Sequence, residues 1–98
     1  MQILCHSQSE DKVVLQLNET DLQNIERARK TAAGLAGGQK LKTALDEAAT
    51  ALGHLNLHQE RSRAYTGAMP VRVARNVIIL AACSHACLTA ADWEKLIE

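Results

Sequence analysis

Residues 70–88 read PVRVARNVIILAACSHACL, and no charged side chain occurs from Asn76 to Ala91. Pro70 predicts a helix start, because the N–H that proline lacks would have no partner at the first helical position. Apolar side chains then recur at helical spacing. They are Val71, Ala74, Val77, Ile78, Ala81, Ala82 and Leu88. We expect this helix to be buried on nearly all sides and to form the centre of the fold.

The same stretch does not predict a membrane span. A helix needs about 20 consecutive apolar residues to cross a bilayer, whereas the uncharged stretch is shorter and includes Asn76, Ser84 and His85. We therefore expect a buried helix in a soluble domain, with no membrane contact. The N-terminus lacks the charged start and apolar run of a signal peptide, so we expect a cytoplasmic protein.

Length and charge limit the functions open to the chain. Its 98 residues fit one domain, residues 1–98. The 11 basic and 11 acidic side chains cancel, so no overall positive field attracts nucleic acid or anionic lipid. Tyr65 and Trp93 are the only aromatic side chains. The core must therefore be built from Leu, Ile, Val and Ala.

Two short β-favouring runs lie near the N-terminus, Gln2 to His6 and Lys12 to Leu17, separated by the turn-forming sequence SQSED. They predict a β-hairpin. In the second run Val13, Leu15 and Leu17 share one face, which is the alternation of a half-buried strand. Because two strands alone are marginal in water, the hairpin must lie on a helix or pair with strands of another chain.

Capping residues indicate two further helices. Asn18 or Thr20 can cap a helix that runs to about Ala36 and ends at the Gly-Gly pair that follows. Thr89 can cap a short final helix, with Asp92 in the position of a capping box.

Another helix is expected from Gln39 to Gln59. Its apolar side chains follow a heptad spacing that suits a helical hairpin or a short dimer interface; they are Leu41, Leu45, Ala48, Leu52 and Leu55. Residues 60–69 are polar, contain Gly67 and stop at Pro70, which predicts an irregular connection. The sequence thus predicts an α+β fold, mainly helical, in which an N-terminal β-hairpin is followed by about four helices packed around a buried helix at 70–88.

Cysteine and histidine residues raise the question of a metal site. Cys83 and Cys87, like His54 and His58, are four residues apart, and on a helix this spacing directs two side chains to one face. The spacing lies outside the common C-x2-C class, and His85 points away from both cysteines if the helix is regular. We expect Cys83 and Cys87 to be small apolar residues at a helix interface, and we expect no metal and no other cofactor.

A cysteine beside a histidine also suggests an activated thiolate. Neighbouring strand residues point to opposite faces, which separates Cys5 from His6. Residues two apart on a helix diverge as well, which separates Cys83 from His85. No nucleophile-elbow, metalloprotease, Walker or dinucleotide-binding motif occurs. We therefore expect no enzymatic activity.

A basic cluster stands out, with Tyr65 between the pairs Arg61 and Arg63, and Arg72 and Arg75. The second pair is expected at a helix N-terminus, whose free N–H groups favour an anion. Arginine can bind carboxylate or phosphate through two parallel hydrogen bonds. The cluster therefore predicts a contact surface for an acidic protein partner or, as the alternative, for nucleic acid. A solvated helix edge explains the same residues without a partner.

The chain has more large apolar side chains than the core of a small monomer can bury. They are Leu55, Leu57, Met69, Trp93, Leu96 and Ile97. We expect Leu57 and Trp93 to contribute to the partner surface and the chain to form a homodimer, with ordinary core packing as the alternative. The function expected is that of a small protein-binding module: an adaptor, inhibitor or regulatory subunit. The alternative is a nucleic-acid-binding regulator that uses the arginines at 61–75.

Overall fold

The structure, a computed structural model, describes residues 1–58 and 64–97. Within these residues the chain forms four strands and four helices. They are β1 (Gln2–Ser7), β2 (Lys12–Leu17), α1 (Glu19–Ala33), α2 (Gln39–Gly53), β3 (Asn56–His58), β4 (Ala64–Pro70), α3 (Val71–Ala82) and α4 (Ala90–Leu96). The predicted α+β class, the N-terminal hairpin and the number of helices are confirmed.

The strands form one antiparallel sheet in the order β1-β2-β4-β3. β2 therefore finds its second neighbour within the same chain, in a segment whose sequence predicts an irregular connection. That prediction is wrong for residues 64–69, which belong to β4. Residues 65–69 pair with β2 in regular register, with Leu15 opposite Gly67 and Leu17 opposite Tyr65. The polar composition of the segment gives no sign of a strand, because the backbone hydrogen bonds that stabilise it come from β2.

A close contact with Leu55 explains why a glycine, Gly67, lies inside this strand. A Cβ atom added to Gly67 would lie 2.5 Å from Cδ2 of Leu55. The missing side chain therefore leaves room for Leu55 to pack over the sheet. A glycine within a strand often marks such a close approach rather than a loop.

The first helix begins as predicted and ends earlier than predicted. Asn18 caps α1: its Oδ1 accepts a hydrogen bond of 2.7 Å from the Asp21 N–H, and the Asp21 carboxylate accepts one from the Asn18 N–H. The helix ends at Ala33 with Gly34 as its C-cap, so the expected end at residues 37–38 is wrong, and Gly38 instead precedes α2.

The second helix is also shorter than predicted. It ends at Gly53 rather than Gln59, because residues 56–58 leave the helix to pair with β4. Its first three seam residues, Leu41, Leu45 and Ala48, are buried as expected.

The helix at the centre of the prediction is shorter and less enclosed than the sequence suggested. Pro70 belongs to β4, and α3 spans only Val71–Ala82. Arg72 and Arg75 on this helix are exposed, so burial on nearly all sides is not confirmed. The buried side carries Val73, Ala74, Asn76, Val77 and Leu80. Ile78 and Ala81, also expected in the core, are partly buried.

The core lies between the helices and one face of the sheet. β2 contributes Val13, Leu15 and Leu17 as its alternation predicted, and α1, α2, α3 and α4 contribute the remaining helical members. β1 differs from the other long strands, because none of its six residues is buried. Within the described residues no helix has the length and apolar character needed to cross a bilayer.

Candidate functional site

The structure accounts for only part of the predicted arginine cluster. Arg61 and Arg63 lie outside the described residues. Arg72 lies in the first turn of α3, where its Nη1 donates a hydrogen bond of 2.7 Å to Oε1 of Glu47 on α2. This bond raises the pKa of Arg72. The guanidinium thus already has a carboxylate partner from the same chain. Arg75 is exposed one turn further along the helix.

The other predicted contact residues are dispersed. Leu57 on β3 is 39% exposed and lies opposite Tyr65, which is half-buried on β4. Trp93 on α4 is only 1% exposed. This corrects its assignment to a partner surface: α4 packs against α2 and buries Trp93 in the core. No hydrogen-bond partner for its Nε1 occurs among the described residues.

The cysteine and histidine pairs do not share helix faces. α3 ends at Ala82, so Cys83 lies at its C-cap and Cys87 is exposed in the connection to α4. The expectation of a helix interface is therefore wrong for Cys87. His54 follows α2 and His58 belongs to β3. In the part of the chain that the structure describes, no group of three or more His, Cys, Asp and Glu side chains is placed to hold a metal ion.

A cleft of about 500 Å³ lies between α2, the end of β4 and the start of α3. One wall is a face of α2 that carries Thr43, Asp46, Glu47, Thr50 and Ala51, and His54 continues this wall just beyond the helix. The opposite side is formed by Ala68, Met69, Pro70 and Val73. Met69 and Val73 are buried members of the core, so the cleft has an apolar base and a polar, acidic wall.

The described residues give the cleft a negative charge. Asp46 is exposed, and no ion pair of its carboxylate occurs among the described residues, whereas the Glu47 carboxylate is paired with Arg72. Two carboxylates and one guanidinium leave one net negative charge at this wall. Thr50 hydrogen-bonds through its Oγ1 to the backbone oxygen of Asp46, 3.0 Å away.

A second, smaller concavity lies on the other side of α3. This trough, about 230 Å³, is lined by Ile3 and His6 of β1, Val13 of β2, and a face of α3. The α3 residues are Val71, Ala74, Arg75, Ile78 and Ile79. The trough is almost entirely apolar and borders the edge of the sheet.

Sequence reasoning missed the cleft for a definite reason. Thr43, Glu47 and Thr50 recur on α2 at spacings of four and three, opposite the leucine seam, and this is the ordinary pattern of a solvated helix face. This face of α2 differs from an ordinary solvated face only because β4 lies opposite it, and β4 was not predicted.

No protein-family model, curated protein or solved structure matches this chain.

Proposed function

We propose that this chain is a protein-binding module whose cleft takes a short segment of a partner protein that combines an apolar side chain with lysine or arginine. The observation that carries the proposal is the composition of the cleft: an apolar base beside a wall with net negative charge. Binding surfaces gain affinity from desolvated apolar anchors and orientation from complementary charge.

The dimensions of the cleft favour a peptide segment. One wall extends from Thr43 on α2 to His54 just beyond the helix, and at 1.5 Å per residue its length is about 16 Å. An extended peptide rises about 3.3 Å per residue, so about five residues would fit along this wall. A partner side chain entering between Met69 and Ala51 would cover apolar surface, and a neighbouring lysine or arginine would approach Asp46.

The cleft also bears on the two partner chemistries expected from the sequence. Phosphate groups of nucleic acid would meet like charge at Asp46 and Glu47, so this surface supports protein binding over the nucleic-acid alternative. An acidic partner at the arginines remains a prediction, because Arg61 and Arg63 lie outside the described residues. Arg72 would have to exchange Glu47 for such a partner.

Selection from a display library of random peptides tests the cleft directly, because the library samples many candidate segments at once. We expect enriched peptides to contain lysine or arginine beside a large apolar residue. Their affinity should fall at least tenfold for Thr50→Lys, which places a cation in the cleft, and should change less than twofold for Thr31→Lys.

Thr31 is a matched control. Both threonines are exposed on helices and hydrogen-bond to the backbone oxygen four residues earlier. The two substitutions therefore change net charge equally and differ only in their position relative to the cleft. Equal weakening by both variants would assign binding to overall charge, and a library without enriched sequences would contradict the proposal.

A further inference from the structure

The edge strand β1 is unusually apolar for an exposed segment. All residues from Met1 to His6 are exposed, and the most exposed large apolar side chains are Ile3 at 59% and Leu4 at 50%. β1 pairs only with β2, so its outer backbone edge has no strand partner among the described residues. Such an edge is a template for pairing with another strand.

The edge and the trough form one continuous surface. Ile3 and His6 lie opposite Leu15 and Val13 in the β1–β2 ladder, and opposite residues of a pair project to the same face. Both side chains are therefore on the helix side of the sheet, where they line the trough with Ile78. A strand added at the β1 edge would place its own helix-side residues against this apolar surface.

β1 lacks most devices that protect an edge. Natural edge strands carry lysine, proline or other charged groups that prevent pairing, but the sequence QILCHS contains no lysine, no proline and no carboxylate. The strand has one irregularity, a shift of register between Ile3 and Cys5. Leu4, the residue between them, is half exposed and apolar. The irregularity therefore does not place a charged side chain at the edge.

We propose that the occupant of this edge is a second copy of the chain, whose β1 pairs antiparallel with this β1 about a two-fold axis to give a continuous eight-stranded sheet. An antiparallel pair of identical strands is self-complementary, as a two-fold interface requires. An axis near Leu4 brings the apolar centre of each strand against that of the other. The strand has no carboxylate or lysine to repel its copy, and the chain is neutral overall.

The available area sets the strength of this dimer. A standard interface takes about 800 Å² from each partner, or about 13% of the 6056 Å² that this chain exposes. The strand and the α3 side of the trough together include about a tenth of the residues, which is fewer than the roughly 20 to 30 of a standard interface. We therefore expect reversible dimerisation with a dissociation constant in the micromolar range.

Sedimentation velocity over a concentration series tests the dimer. The wild-type chain should change from monomer to dimer, and Ile3→Lys should weaken dimerisation at least tenfold because it places two like charges across the strand pair. Leu96→Lys and Leu57→Lys are matched controls: both leucines are exposed, one on α4 and one on the opposite edge strand β3. Neither control should change the dissociation constant by more than twofold.

Hydrogen exchange of the wild-type chain gives a second measurement that depends on no variant. The outward-facing amides of β1 should exchange more slowly as protein concentration rises, while those of β3 should not change. A wild-type chain that stays monomeric at high micromolar concentration would overturn the proposal. So would a dimer that Leu57→Lys disrupts and Ile3→Lys does not. Peptide binding to the cleft is independent of both results.

Discussion

Small side chains allow the two helices over the sheet to approach closely. α1 and α3 pack against each other, and each presents buried alanine: Ala28 and Ala32 on α1, and Ala74 on α3. With so few aromatic side chains available, the chain fills its core by bringing backbones together rather than by inserting large groups. Such an interface has little tolerance for added volume.

Ala28→Leu should therefore overpack this contact. Ala28 is 1% exposed, and the added side chain should lower the free energy of unfolding by about 1 to 3 kcal/mol, as measured by urea denaturation. Ala33→Leu, an exposed position on the same helix, should change it by less than about 0.5 kcal/mol. Equal effects of the two variants would show that the helices are not in close contact at Ala28.

Sequence patterns predicted individual residues well where one rule acted alone. The alternation of Val13, Leu15 and Leu17 requires only a sheet with one buried face. Gly67 and Arg72 were not predictable in the same way, because the role of each is set by a residue distant in sequence: Leu55 fills the space over Gly67, and Glu47 binds Arg72.

Helix caps were the most reliable signals for the elements. Asn18 with Asp21, and Thr89 with Asp92, form capping boxes that fix the starts of α1 and α4. These signals are local, since the capping side chain accepts a hydrogen bond from an N–H group only three residues away. The helix ends and the strands β3 and β4 depend on pairing across the sheet, so no local pattern could place them.

The capping box of α4 gives a pH dependence with a defined sign. The Thr89 N–H donates a hydrogen bond to the Asp92 carboxylate, which holds the pKa of Asp92 below its usual value. A carboxyl group with a lowered folded-state pKa contributes stability above its unfolded-state pKa, and that stability is lost as pH falls through the folded value. The cap should therefore weaken below about pH 3.9, the ordinary aspartate value.

The measurement is an NMR titration of backbone shifts in α4. We expect the backbone chemical shifts of Ala90–Leu96 to move toward coil values as the pH falls below the pKa of an ordinary aspartate. Asp92→Asn, which cannot ionise, should lack this change. A variant that follows the wild-type titration would show that acid acts on α4 through other groups.

One core joins strand β2 to the last helix. Leu15 in β2 and Trp93 in α4 are both fully buried members of the same cluster. Leu15→Ala should lower the free energy of unfolding by about 2 to 5 kcal/mol. Denaturation curves from Trp93 fluorescence and from far-UV circular dichroism should shift together. A fluorescence transition that stays at the wild-type midpoint would show that α4 unfolds separately from the sheet.

The two edges of the sheet are unequal in length, and this sets how far strand addition can proceed. β1 offers six residues, whereas β3 at the other edge offers three among the residues that the structure describes. Once two copies join through their β1 strands, only the short β3 edges remain at the ends of the sheet. A three-residue edge is a poor site for adding a further strand. The described edges therefore favour a closed pair over growth into a filament.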